Sequence, residues 1–215
     1  MKVIGIVGNG PVNMCPNLHK YTDEVDLWIG ADAGAYQLIR KNIDVSYAVG
    51  DFDSLSQTER DTIEARAEHV ISYKEEKDMT DMELAIEKAL EYEPHKVLIF
   101  GATGGRLDHE IVNIQLLLKF ADHHIEARII DKQNIVQLVH PGTYTVEKEE
   151  GFPYLSFIAF TPTVSDLTLQ NFRYDLNNVT IQMGSSLCIS NEIVENNGTF
   201  SFKQGTLLVI KSTDV

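Results

Sequence analysis

The sequence predicts an α/β fold: a mostly parallel α/β/α sheet domain over residues 1–132, followed by a smaller antiparallel β-sandwich domain over 133–215. Three observations lead there. Short β-rich runs alternate with helical patterns through the first part of the chain, which is the pattern of a parallel sheet covered by helices on both faces. After about Gln133 helical periodicity stops. Short apolar runs punctuated by Gly, Pro, Asn or Asp take over, as in sandwiches and open barrels. Hydrophobic residues make up 43% of the 215, enough for a packed core and too many for a disordered chain.

Taken in order, the first-domain strand candidates are 3–7, 27–29, 48–49, 69–72, 97–100 and 127–130. Asp32 precedes a helix over about 33–41. Ser56-Gln57-Thr58-Glu59 and Thr80-Asp81-Met82-Glu83 are capping boxes, in which hydroxyl and carboxylate satisfy orphan backbone N–H groups. The second leads into Met82, Ala85, Ile86, Ala89 and Leu90, one apolar face at helical spacing. Asp108 opens a further helix carrying Ile111, Ile114, Leu117 and Leu118. In the second domain the apolar runs are 154–160, 167–169, 186–189, 198–202 and 207–210. About 80 residues of β structure bury little alone, so this domain is expected to pack on the first or on another copy of itself.

Charge and composition exclude several classes. Eighteen Lys and Arg against 32 Asp and Glu leave a net charge of −14. That field repels a phosphate backbone, so no nucleic-acid partner is expected. A small polyphosphate bound through a divalent cation remains compatible with it. No apolar run approaches the roughly 18 residues of a membrane span, and the N-terminus lacks a signal-peptide pattern. The expectation is a cytoplasmic chain with no membrane partner. Cys15 and Cys188 form no CxxC and are expected to be unpaired.

Four acidic or glycine-rich stretches follow predicted strands: Gly30-Ala31-Asp32-Ala33-Gly34, Gly50-Asp51-Phe52-Asp53-Ser54, Lys77-Asp78-Met79-Thr80-Asp81, and Gly101 through Asp108. In open α/β sheets, such loops form the ligand crevice. Asp32, Asp51, Asp53, Asp78, Asp81 and Asp108 are therefore expected to converge at one sheet edge. Taken singly, Asp32 and Asp108 read as helix caps and Asp81 as a first-turn carboxylate favoured by the helix dipole. Asp51 and Asp53 either point to one side of an extended segment or belong to a turn. The conjunction of four loops favours a site. Converging carboxylates repel by about 4 kcal/mol at about 4 Å and an effective dielectric of 20. A hard divalent cation would offset this, and an all-oxygen donor set suits Mg²⁺ with a nucleotide polyphosphate. The GATGGR stretch is no Walker A sequence. The start, Gly5-Ile6-Val7-Gly8-Asn9-Gly10, partly matches a dinucleotide fingerprint and fails, since the third glycine of that pattern is absent and Pro11 intervenes.

The set GADAGA, GDFDSL, KDMTD and GGRLDH, in that order, with a later Ser190-Asn191-Glu192, resembles the thiamine pyrophosphokinase family over nearly the whole chain. The resemblance implies an ATP-holding α/β domain, a thiamine-binding and dimerising β-sandwich, and a homodimer with thiamine near the subunit interface. It implies transfer of a diphosphoryl group from ATP to the thiamine hydroxyl, releasing AMP. By the same resemblance Asp51, Asp53 and Asp81 match Mg²⁺ and phosphate-binding aspartates, and Asp108 an acidic residue beside the reacting groups. Asp32, Asp78, Thr80, Gly104, Gly105 and Arg106 match nucleotide and phosphate contacts, with Lys77 as a further phosphate candidate. Ser190, Asn191 and Glu192 match the thiamine end. Where the family usually carries an aromatic after this motif the chain has Ile193, leaving Phe172 or Tyr174 as candidates to cover the thiazolium. Two rival readings stand beside this one. A Mg²⁺-dependent phosphohydrolase would use Asp51 or Asp53 as nucleophile, and a regulator would bind nucleotide or thiamine without turnover.

Overall fold

A computed structural model describes residues 2–73 and 78–214. The chain forms two compact units, Met1–Lys132 and Gln133–Val215.

The first unit is built on six parallel strands: β1 Val3–Val7, β2 Leu27–Ala31, β3 Val45–Gly50, β4 Ala67–Ser72, β5 Lys96–Phe100 and β6 Glu126–Ile130. They lie in the order β4-β3-β2-β1-β5-β6, each neighbour pair parallel. Four helices connect them: α1 Ala33–Arg40, α2 Gln57–Arg66, α3 Asp81–Leu90 and α4 Leu107–Asp122. Strands β1 and β2 are buried at every position, as expected of central parallel strands covered on both faces. β4 is the exposed edge, with mostly polar or half-exposed side chains. The order reverses between β1 and β5. That is the topological switch point, beside which ligand crevices form at the carboxyl ends of the strands.

The starts of α2 and α3 follow the predicted chemistry. Ser56 N donates to Glu59 Oε2 at 2.9 Å, closing the capping box of α2. The Ser56 hydroxyl, which also donates to Glu59 Oε2 at 2.7 Å, and after it the Ser56 N–H hold the Glu59 carboxyl below its ordinary value. Thr80 caps α3, its Oγ1 accepting from Glu83 N at 3.2 Å. The cap of α4 is Arg106, so Asp108 sits in the first turn rather than at the cap. Its carboxylate still lies at the end that the helix dipole favours.

The second unit is a β-sandwich. One antiparallel sheet pairs β7 Asn134–Val139 and β9 Tyr154–Ala159 with a central β13 Leu207–Ser212. The other has β8 Gly142–Glu147, β10 Thr163–Gln170, β11 Leu176–Gln182 and β12 Asn197–Phe202, in the order β11-β10-β12-β8. Their inner faces share one core, in which Phe157 of β9 meets Phe200 of β12 at 5.0 Å and Phe172 edge-on at 5.6 Å. β7, β8 and β11 are not marked by the long apolar runs. β8 and β11 present one face to solvent, so half of their side chains are polar or exposed.

One expected strand is absent. Residues 186–189 form turns, not a strand. Ser hydroxyls and carbonyls capture the local N–H groups: Leu187 N donates to Ser185 Oγ at 3.3 Å and Ile189 N to Ser186 O at 3.3 Å. Only Cys188 of this run is buried, and Leu187 and Ile189 face solvent. Such side-chain capture competes directly with ladder formation. Cys15 and Cys188 are both free and buried. Among the described residues, no helix is long and apolar enough to cross a membrane.

Seating α1 against the sheet depends on Gly34. A Cβ built there would overlap the Val7 carbonyl oxygen at the end of β1. Since backbone cannot yield as a side chain tip can, Gly34→Ala should destabilise the protein by about 3 kcal/mol or more. A urea midpoint close to wild type would contradict this close seat.

Candidate active site

The carboxyl ends of β1, β2 and β5 open onto a cleft of about 570 Å³ lined by Gly8 to Pro11, Asp32, Thr80 to Met82, Gly101 to Thr103, Gly105 and Arg106. At its side lies an acidic cluster. Asp32, Asp51 and Asp53 each offer a carboxylate oxygen, and these atoms all lie within 4.8 Å of one another.

Backbone geometry builds the cluster. Phe52 has a φ of 58° and its ring is buried at 6% exposure. The segment is thus a turn rather than an extended strand, and Asp51 and Asp53 meet because left-handed Phe52 folds the chain between them. Asp53 N donates to Asp51 Oδ1 at 3.2 Å, the local bond that favours Asp in turns. Arg60 of α2 clamps the turn from outside, its Nη2 donating to Asp53 O and its Nε to Leu55 O, both at 3.1 Å.

Asp32 joins the cluster, as the convergence of loops predicts, and does not act as the cap that it resembles when taken singly. It stands at the cap position of α1, but its side chain makes no capping hydrogen bond. Its φ of 49° and ψ of −127° lie in a sparsely populated region, a conformation costing about 1–3 kcal/mol that structures retain mainly at functional sites. The residue is 9% exposed. Oδ2 accepts from Ser54 Oγ at 2.8 Å and from Asn9 Nδ2 at 3.2 Å, while Oδ1 is buried with no hydrogen-bond partner. A bare buried carboxylate oxygen is costly unless a cation meets it. This oxygen, and a donor set made only of carboxylates, fit a hard divalent ion such as Mg²⁺.

The other predicted residues fall as follows. Asp81 lies in the first turn of α3 and lines the cleft. Its Oδ1 sits 3.2 Å from where a Cβ on Gly50 would stand, beside the strand end that leads into Asp51. Thr80 also lines the cleft while capping α3. Asp78 is exposed, and Lys77 lies outside the described residues. Gly104 is exposed with a φ of 85°, and Gly105 and Arg106 border the cleft. Arg106 and Asp108 form a two-pronged pair, Nη2 to Oδ2 at 2.6 Å and Nε to Oδ1 at 3.1 Å. The Arg106 guanidinium holds the Asp108 carboxyl down at about 2.

Residues that the motifs did not mark also shape the cleft. Thr103 Oγ1 donates to buried Asp131 Oδ2 at 2.6 Å, and Asn113 Nδ2 to Ala102 O at 2.8 Å, so β6 and α4 both hold the glycine loop. Asn9 and Ser54, which contact Asp32, carried no assigned role.

In the second unit, Ser190, Asn191 and Glu192 do not point the same way. Asn191 is 2% exposed. Its Oδ1 accepts from Tyr174 N at 3.0 Å and Glu192 N at 2.9 Å, and its Nδ2 donates to Tyr174 O at 2.9 Å. It is a clasp that ties the 172–174 segment to this motif. Ser190 is exposed, with its N donating to Ser156 Oγ at 3.0 Å. Glu192 pairs with Arg173 at 2.8 Å and, with Ile193, lines a second cavity of about 270 Å³. Of the two candidate aromatics, Phe172 is committed to the core at 4% exposure, whereas Tyr174 is 59% exposed. Ile193 packs against the sandwich core.

Comparison with known proteins agrees with this architecture. Residues 18–129 match the family model described as thiamin pyrophosphokinase, catalytic domain, and residues 143–207 the one described as thiamin pyrophosphokinase, vitamin B1 binding domain. A thiamine pyrophosphokinase of Bacillus subtilis (strain 168) is 50% identical over 214 residues, covering 100% of both chains. A crystal structure of thiamine pyrophosphokinase from Bacillus subtilis superposes with a TM-score of 0.94 over 100% of both chains at 50% identity. One of thiamin pyrophosphokinase from Geobacillus thermodenitrificans gives 0.88 at 41% identity, covering 99% of this chain and 98% of that one.

The Arg106–Asp108 pair sets a pH expectation. The Asp108 value lies below that of an ordinary carboxylate, so the pair persists at neutral pH and is lost only as pH falls through about 2. Arg106→Ala should let Asp108 titrate upward, towards the ordinary carboxylate range. Carboxyl-carbon NMR checks this, and an unmoved titration would show that Arg106 is not the cause.

Proposed function

The chain belongs to the thiamin pyrophosphokinase family, and from that membership and the acidic cleft we propose that it transfers a diphosphoryl group from ATP to the hydroxyl of thiamine, giving thiamine diphosphate and AMP. The thiamine oxygen attacks the β-phosphorus, the bond from that phosphorus to the α,β-bridging oxygen breaks, and AMP departs with the bridging oxygen. The hydroxyl proton passes to solvent water as the new P–O bond forms. The observation that carries this reading is the Asp32–Asp51–Asp53 cluster, with its bare buried oxygen, at the switch-point cleft.

Such transfer asks a protein for positioning and charge stabilisation more than for covalent chemistry. Asp51, Asp53 and Asp32 would hold Mg²⁺, with Asp81 close by on the cleft wall. Bound there, the ion neutralises charge on the phosphate oxygens. Backbone N–H groups of the Gly101–Gly105 turn and the Arg106 guanidinium would take phosphate oxygens, as nests of amides and Arg forks do. Arg106 and Asp108 are both exposed, and exposed ion pairs are weak, so Arg106 exchanges Asp108 for phosphate at little cost. Asp108, released from Arg106, has the ordinary weak basicity of a carboxylate and orients the thiamine hydroxyl rather than removing its proton outright.

At the thiamine end, Glu192 supplies a carboxylate for the aminopyrimidine edge, and exposed Tyr174, whose ring now faces the Arg173 guanidinium at 5.7 Å, is the aromatic to lie on the cationic thiazolium, a contact of about 0.5–2 kcal/mol. Asn191 supports both by fixing their backbones. The assembly proposed is a homodimer acting in the cytoplasm on these small molecules, without nucleic-acid or membrane partners.

An assay with ATP, Mg²⁺ and thiamine tests the reading. AMP should appear only when thiamine is present. Asp51→Asn and Asp53→Asn should each lower turnover by more than about 100-fold, because losing a ligand exceeds the roughly 10–100-fold cost of disturbing its supporting partner. Thiamine-independent release of inorganic phosphate without AMP would instead establish a phosphohydrolase.

A further inference from the structure

We propose that Asn9 is a positioning residue of the cation site, setting the Asp32 carboxylate so that Oδ1 faces the ion. This deepens the function proposed above and rests on it. Asn9 is the middle residue of Gly8-Asn9-Gly10, the stretch after β1 that fails as a dinucleotide fingerprint, and it precedes the 18–129 segment matched by the catalytic family model.

The geometry is specific. Asn9 Nδ2 and Ser54 Oγ both donate to one atom, Asp32 Oδ2, at 3.2 and 2.8 Å. Two donors converging from different loops fix the rotation of the carboxylate about its last bond. They saturate Oδ2 and leave Oδ1 bare and buried. Asp32 is thus presented to Asp51 and Asp53 with a single oxygen available.

The glycines on either side explain how Asn9 is aimed. Gly8 N donates to Phe100 O and Gly10 N to Gly101 O, both at 2.8 Å. A Cβ at Gly8 would stand 2.8 Å from Gly101 O, and one at Gly10 would stand 2.6 Å from the same oxygen. Only glycine on both sides lets this loop lie flat on the turn after β5, so the Asn9 backbone is pinned at each end. The residue type matters as well. An amide donates to a carboxylate without adding charge, whereas a carboxylate at this position would repel Asp32 and an ammonium would compete with the cation.

The test uses the full chain, Mn²⁺ alone as the probe, and electron paramagnetic resonance of free Mn²⁺ to read binding without turnover. Asn9→Ala should weaken the site by about tenfold, the cost typical of losing an outer partner of a metal-binding carboxylate. Because Asn9 is exposed, its urea midpoint should stay at the wild-type value, as should the KM for thiamine. Ser54→Ala, which removes the other donor to Oδ2, should weaken Mn²⁺ binding similarly, and it carries the test should Asn9→Ala not fold. Binding by the folded variants within about twofold of wild type would overturn the inference and leave the proposed function standing. If wild type shows no Mn²⁺ site that Asp51→Asn removes, the cation reading itself falls, and Asn9 with it.

Discussion

Like charges in close quarters govern the first unit. Three carboxylate oxygens within 4.8 Å of one another repel by roughly 3 kcal/mol per ionised pair at an effective dielectric of 20. Nothing in the packing of the core calls for that arrangement. It persists because the surrounding backbone over-determines it: a left-handed Phe52 anchored by its buried ring, a strained Asp32 between β2 and α1, and an Arg60 clamp on the turn. Strain and repulsion concentrated at one edge of an otherwise regular sheet mark a place arranged for a ligand of opposite charge.

The rest of the cleft follows from topology. Asp32 and Asp81 line the cleft as one wall. The second wall is the Gly8–Pro11 loop laid against the Gly101–Arg106 loop, with Gly8 N donating to Phe100 O and Gly10 N to Gly101 O. Buried polar ties hold the second wall from behind, through Asp131 and Asn113. Together they set an acidic, metal-binding side against a side that presents backbone N–H groups and Arg106. That division of charge suits a polyphosphate bridged to the protein by a cation.

Much of this was legible in the amino-acid order. Strand-helix alternation, the capping box at Ser56 and the change of texture near Gln133 are local signals, and local chemistry decides them. The acidic loops were legible as a set because they follow consecutive strands. What escaped depends on contacts between distant segments. The Asp32 carboxylate looks like a cap until Asn9 and Ser54 are seen to take its Oδ2. For Asp51 and Asp53 the sequence left an extended segment and a turn both open, and left-handed Phe52 with its buried ring decides for the turn while still bringing the two carboxylates together. Residues 186–189 carry strand-forming side chains, yet serine hydroxyls next to them win the backbone. Asn191 reads as a ligand contact by its motif, but burial turns it into a clasp whose bonds all go to backbone.

The central claim is that one divalent cation sits among Asp32, Asp51 and Asp53. Anomalous diffraction from crystals grown with Mn²⁺ and a non-transferable ATP analogue tests it most directly. The account predicts one strong peak within roughly 2.0–2.6 Å of oxygens from these carboxylates, the range for hard cations on oxygen ligands, with phosphate oxygens completing the shell. A peak held elsewhere in the cleft, with the three carboxylates turned away from it, would contradict the account.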